Sequence, residues 1–109
     1  MRESSFRDFV LDQLRALGRV TSRAMFGAHG LYHGDIFFAI ITSKDRLFFR
    51  TDKESVREYR ARGMKPFRFG PGQSSKSYYE VPPDVLEDPT ALVAWARRAV
   101  AAQQARRRP

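Results

Sequence analysis

The sequence contains no cysteine, which excludes disulfides, thiol nucleophiles and thiolate metal sites. Histidine is scarce, with only His29 and His33, and Trp95 is the single tryptophan. No run of eighteen apolar residues occurs. The longest, IFFAII at 36–41, has the length of a strand, so no membrane span is predicted. The opening MRESSFRDFV carries Glu3 and Asp8 and lacks a signal-peptide core, so a cytoplasmic protein is expected. Acids are in the minority, 12 against 20 lysines and arginines.

The chain of 109 residues suits one small domain, and its nine phenylalanines and four tyrosines argue for a packed core. Of the net charge of +8, five units belong to Arg97, Arg98, Arg106, Arg107 and Arg108, leaving +3 for residues 1–96. The basic excess is therefore C-terminal. It suits either phosphate contact or a solvated tail.

Phe6, Phe9, Val10, Leu14 and Leu17 recur at helical spacing, predicting a helix from about 5 to 17 stopped by Gly18. TSRAMF (21–26), GLYH (30–33), DIFFAIIT (35–42) and RLFFRT (46–51) read as antiparallel strands joined by tight turns. IFFAII is apolar on both faces, so it belongs in mid-sheet with a helix layer on at least one side. A second helix follows, to about Arg62, with either Thr51 and Glu54 as a capping box or Asp52 as a direct cap. Phe67 and Phe69 alternate with Arg68 in a short strand. GPGQSSK (70–76) reads as a flexible or turn-rich loop, an ordinary hairpin connection, and SYYEV (77–81) as a returning strand. Asp88 and Pro89 then open a C-terminal helix with Leu92, Ala96, Ala99 and Val100 inward and Trp95 beside them. Past Gln103 the polar, basic chain is expected to fray. The architecture is α+β: a small antiparallel sheet flanked by N- and C-terminal helices, with a middle helix inserted. The domain is expected to span 1–103, with a basic tail over 104–109.

Few residues are arranged for chemistry. Gly27, Gly30 and Gly34 match neither phosphate-loop fingerprint and lead into a strand, so turn and close-packing roles are expected. His29 and His33 lack the helical HExxH setting, and Asp35 is the one nearby acid, so no metal site is expected. No nucleophile elbow or paired acids mark a catalytic centre, and no cofactor is implied.

The run RAMFGAHGLYHGDIFFAIITSKDRLFFRTD resembles the hallmark segment of the TfoX N-terminal domain family. KPFRF, SYYEVPPDVLEDP and LVAWARRA resemble that family's later segments, in the same order. Met25, Phe26, Gly27, Gly30, Leu31, Tyr32 and Gly34 carry the motif. The resemblance covers roughly Phe6 to Ala101. It implies a small α/β domain related to regulators of natural competence and DNA transformation, here as a single-domain member. One position departs: the family usually has two adjacent glycines after Met-Phe, and here Ala28 follows Gly27. A left-handed backbone at the second position would strain Ala28.

Three functions compete. The first is a non-enzymatic regulatory or interaction module, with Arg68, Ser74, Ser75, Lys76, Tyr78 and Tyr79 as its ligand or partner surface and a homodimer as one form of partnership. The second is direct nucleic-acid binding by Arg97, Arg98, Arg106, Arg107 and Arg108 with exposed rings interleaved by cations. The third is a small-ligand domain or small enzyme, which requires Tyr78, Glu80, His29 or His33 to converge in a pocket.

Overall fold

A computed structural model describes residues 5–25, 27–70 and 72–107. The elements run α1 (Ser5–Gln13), a 3-10 turn (Arg15–Leu17), β1 (Val20–Met25), β2 (Ala28–His33), β3 (Ile36–Ile41), β4 (Leu47–Arg50), α2 (Ser55–Ala61), β5 (Pro66–Gly70), β6 (Gln73–Glu80), α3 (Pro83–Leu86) and α4 (Pro89–Arg107). The six strands form one antiparallel sheet in the order β1-β2-β3-β4-β6-β5. This is the expected α+β architecture, with terminal helices flanking the sheet and a middle helix inserted.

One sheet face carries the main core. Val10 from α1, Leu14 just after it, and Leu92, Ala96 and Ala99 from α4 pack there against Leu31, Phe38, Ala39, Ile41 and Phe49. The opposite face buries Ile40, Phe48 and Tyr78, with Ala28, Phe37 and Phe67 packed beside them. Rings close that face: Phe37 lies 5.2 Å from Tyr32 and 5.7 Å from Tyr78, and Phe67 meets Phe48 edge-on at 5.3 Å. Such ring pairs contribute about 0.5–1.5 kcal/mol each beyond their buried area.

A bulge shapes β3. Leu31 pairs with Ala39 and Tyr32 with Phe37, which leaves Phe38 as an extra residue. Phe38 and Ala39 consequently both enter the main core, while Phe37 and Ile40 both face the other way.

Several boundaries differ from the expectation. The first helix tightens into a 3-10 turn after Gln13 and does not run on to Leu17. The hairpin connection is shorter than 70–76: Gln73, Ser74, Ser75 and Lys76 belong to β6, which pairs back on β5 from Gln73. A short helix, α3, follows Pro82 where only a stop was expected, and Pro83 begins it. Helical backbone also continues past Gln103 to Arg107, where fraying was expected.

The opening motif serves packing and turns. Gly27 has φ +79°, and Gly34 sits at the β2–β3 turn. Ala28 is absent from the residues with positive φ, so the left-handed conformation falls on Gly27 and Ala28 is unstrained. Phe26 lies outside the described residues. Gly30 is needed for space: a Cβ there would stand 2.7 Å from Met25 Cε and 2.8 Å from Phe37 Cε1. Met25 can swing aside, but Phe37 is held between two tyrosines. Gly30→Ala is therefore expected to lose about 1–3 kcal/mol by overpacking, read as a lowered urea midpoint with an unchanged slope.

Candidate functional site

At one end of the sheet, β4 turns into α2 while β6 bends. Pro66 pairs with Tyr79 but Phe67 pairs with Ser75, so Lys76, Ser77 and Tyr78 have no partner on β5. The bend is pinned from the other side: the Thr51 amide and the Thr51 hydroxyl both donate to the Ser77 carbonyl, at 2.7 and 3.1 Å. The turn is fixed by Asp52, whose Oδ1 accepts from the amides of Glu54 (3.1 Å) and Ser55 (2.8 Å). Ser55 Oγ accepts from the Asp52 amide in return, at 3.0 Å. Of the two capping alternatives, Asp52 is thus the cap, and Thr51 is committed to Ser77.

The Ser55 amide chiefly, with the Ser55 hydroxyl and the Glu54 amide, holds the Asp52 carboxyl below its ordinary value of 3.8. A depressed folded-state pKa contributes stability that is present above the unfolded value and lost as pH falls through the folded one. Asp52→Ala is expected to cost about 1 kcal/mol at neutral pH. The gap between variant and parent should narrow below about pH 4, as protonation removes the charged part of the cap. Chemical denaturation at several pH values checks both statements.

These constraints leave a cleft of about 380 Å³. Arg50, Thr51, Asp52 and Lys53 form one wall, Val56 and Arg60 of α2 another, and Lys76 and Ser77 of β6 a third. Ala102 and Arg106 of α4 close it. Five cations thus surround one carboxylate. Among the described residues the ion pairs use other arginines: Arg7 with Asp8, Arg15 with Asp12, Arg46 with Glu80, Arg62 with Asp84 and Arg98 with Glu58. None of the five cleft cations has a carboxylate partner there. Arg60 donates its Nε–H to the Tyr79 hydroxyl at 3.3 Å. The Arg50 guanidinium lies 5.6 Å from the Tyr78 ring centre, and its buried Nε has no acceptor. Burial pushes the Tyr78 phenol up, with Arg50 acting against it. Burial likewise drives the Tyr59 phenol well above its usual range, so both stay protonated at neutral pH.

The structure sorts the candidate residues into separate places. Lys76 and Arg106 meet in the basic cleft. Arg68 instead lines a second cleft of about 400 Å³ with Lys44, Arg46, Lys65 and Phe67. Ser74 and Ser75 are half-buried in β6, and Ser75 Oγ accepts from the Ser77 amide. Tyr78 and Tyr79 are 7% and 4% exposed and lie on opposite faces, so neither offers an open ring for stacking. Of packing and exposure, the rings take packing: Phe48 and Phe49 are buried as well, and period-two alternation sends the members of each doublet to different cores.

Arg97 is exposed and borders a groove between α1 and α4. Arg98 is engaged in structure, bonded to Glu58 at 2.7 Å and lying 5.9 Å from the Trp95 ring centre. The side chains of Phe69 and Arg107, and Arg108 entirely, lie outside the described residues.

The pocket required by a small enzyme does not assemble from the residues expected to form it. His29 Nε2 lies 3.2 Å from Arg7, Glu80 is bound by Arg46, and Tyr78 is buried on the far face. His29 and His33 are four residues apart on one strand, about 13 Å of extended chain. Among the described residues no group of three histidines or acids could hold a metal ion, and no helix is long and apolar enough to cross a membrane.

Lys53 and Arg60 are not marked by the sequence, which singles out Arg50 only as a cation interleaved with the aromatic runs. The spacing of Lys53, Val56 and Arg60 places them on one helical face, a signal that was available. What brings that face to Lys76 and Arg106 is the bend of β6 and the continued α4, neither of which is legible locally.

No curated protein matches the chain. The model of the TfoX N-terminal domain matches residues 12–103, most of the chain and all of the sheet, and so this protein belongs to the TfoX N-terminal domain family.

Proposed function

We propose that this chain is a non-enzymatic regulatory or interaction module, tied to transcription or competence control as its family kinship suggests. Its partner docks on the basic cleft. One observation carries this reading: Lys76 and Arg106, 30 positions apart in the sequence, line one concavity together with Arg50, Lys53 and Arg60, and none of the five is neutralised by a described carboxylate. Affinity capture from cytoplasmic extract, with the parent and a Lys76→Glu/Arg106→Glu variant side by side, tests it. A specific partner retained by the parent and by Arg97→Glu, but lost by the double variant, is expected. Equal recovery by all three, or no partner at all, would refute it.

Direct nucleic-acid binding is the second reading, favoured by the same excess of five cations over one carboxylate. Oligonucleotide titrations at two salt concentrations test it. If all five cations contact a single strand, the log–log salt slope is about −3.5. Binding without salt dependence, or unaffected by removal of residues 106–108, excludes it. Self-association is a further form of partnership, for which β1 and β5, the two edges of the open sheet, are the available pairing surfaces.

A further inference from the structure

We propose that the basic cleft binds a compact polyphosphate, such as inorganic pyrophosphate or the phosphate chain of a nucleotide. The inference rests on the cleft being the module's recognition surface and names the chemistry it recognises.

The charge balance comes first. Arg50, Lys53, Arg60, Lys76 and Arg106 face a single acid, Asp52, whose Oδ1 already accepts two backbone amides. A folded chain that pairs Arg7, Arg15, Arg46, Arg62 and Arg98 elsewhere keeps these five without carboxylates. Their mutual repulsion is relieved by an anion of more than one charge.

Shape and donor type then select the ligand. The cleft of about 380 Å³ between β4, α2, β6 and α4 has the volume of a small-molecule site. The guanidinium groups of Arg60 and Arg106 suit phosphate oxygens, and Lys53 and Lys76 add point charges. The cleft's floor is held in place by the Thr51–Ser77 and Asp52–Ser55 hydrogen bonds. A helix C-terminus favours a cation at Arg106, but that explanation does not extend to Arg50 or Lys76.

Calorimetric titration of the full chain with sodium pyrophosphate, against citrate and against sodium chloride at matched ionic strength, tests the proposal. A saturable 1:1 isotherm for pyrophosphate is expected, weakened about tenfold or more by Lys76→Ala and by Arg106→Ala and unchanged by Arg97→Ala. Circular dichroism melts of each variant confirm that they fold. Equal binding of citrate, no saturable binding beyond the chloride control, or equal weakening by Arg97→Ala overturns it. A single-stranded oligonucleotide forms the remaining arm: if it binds at the same cations and pyrophosphate fails to compete, the phosphates come from nucleic acid and the small-ligand proposal is wrong. Loss of partner capture by the Lys76→Glu/Arg106→Glu variant without pyrophosphate binding overturns this proposal alone. Pyrophosphate binding with undiminished capture sustains it and removes the partner-surface reading instead.

Discussion

Phe49→Ala is expected to lower folding stability by about 3–5 kcal/mol, a large share of the roughly 5–15 kcal/mol available to a domain. Phe49 is fully buried in β4, pairs with Ala39 on one side and Tyr79 on the other, and stands 5.8 Å from the Phe38 ring. Two costs add. The ring's transfer from water is lost, and the cavity cannot collapse, because Phe38 is itself fixed by the β3 bulge and Tyr79 by the Tyr59 ring at 6.0 Å. Equilibrium urea unfolding followed by circular dichroism measures the loss. A cost below about 1 kcal/mol would mean that Phe49 does not occupy the centre of the helix-side core.

Trp95→Ala is expected to have a comparable effect, about 3–5 kcal/mol, through a different set of contacts. The indole is 8% exposed and meets the Tyr59 ring edge-on at 4.8 Å. Arg62 and Arg98 lie 5.2 and 5.9 Å from its centre. Each arginine is also tied to an acid, Arg62 to Asp84 and Arg98 to Glu58. The exposed ion pairs contribute little alone, about 0–1 kcal/mol each, but the indole between them gives both arginines a fixed seat. Removing it loosens α2 from α4. Trp95→Phe should recover part of the loss, since a ring against Tyr59 is restored. Because Trp95 is the only tryptophan, its own emission reports unfolding of the parent, while the variants are followed by circular dichroism.

The order of elements was legible because each local signal agreed with the fold. Asp88 and Pro89 do open α4, with the amides of Thr90 and Ala91 bonded to Asp88 Oδ1, and the aromatic runs are strands. Where local signals failed, a nonlocal cause was at work. The alternation rule places Phe38 and Ala39 on opposite faces, and the bulge places them on one. Gly70, Gly72 and two serines look like a loop, yet β5 supplies ladder partners that draw Gln73, Ser74 and Ser75 into a strand. The doubled aromatics allow either packing or exposed rings, and a sheet with an apolar cluster on each face consumes both members of each pair. The site followed the same pattern. Lys76 and Arg106 could be named from composition, whereas Arg50, Lys53 and Arg60 join them only once α2, β6 and α4 are assembled.

Site-specific photo-crosslinking addresses the partner surface most directly. A photoreactive phenylalanine analogue placed at Lys53 sits in the basic cleft, and one placed at Ala94 sits in the α1–α4 groove as a control. Irradiation in cytoplasmic extract should give a discrete adduct from position 53 and none from position 94. Adducts from position 94 alone, or identical adducts from both, would contradict the assignment of the cleft as the surface through which this module engages its partner.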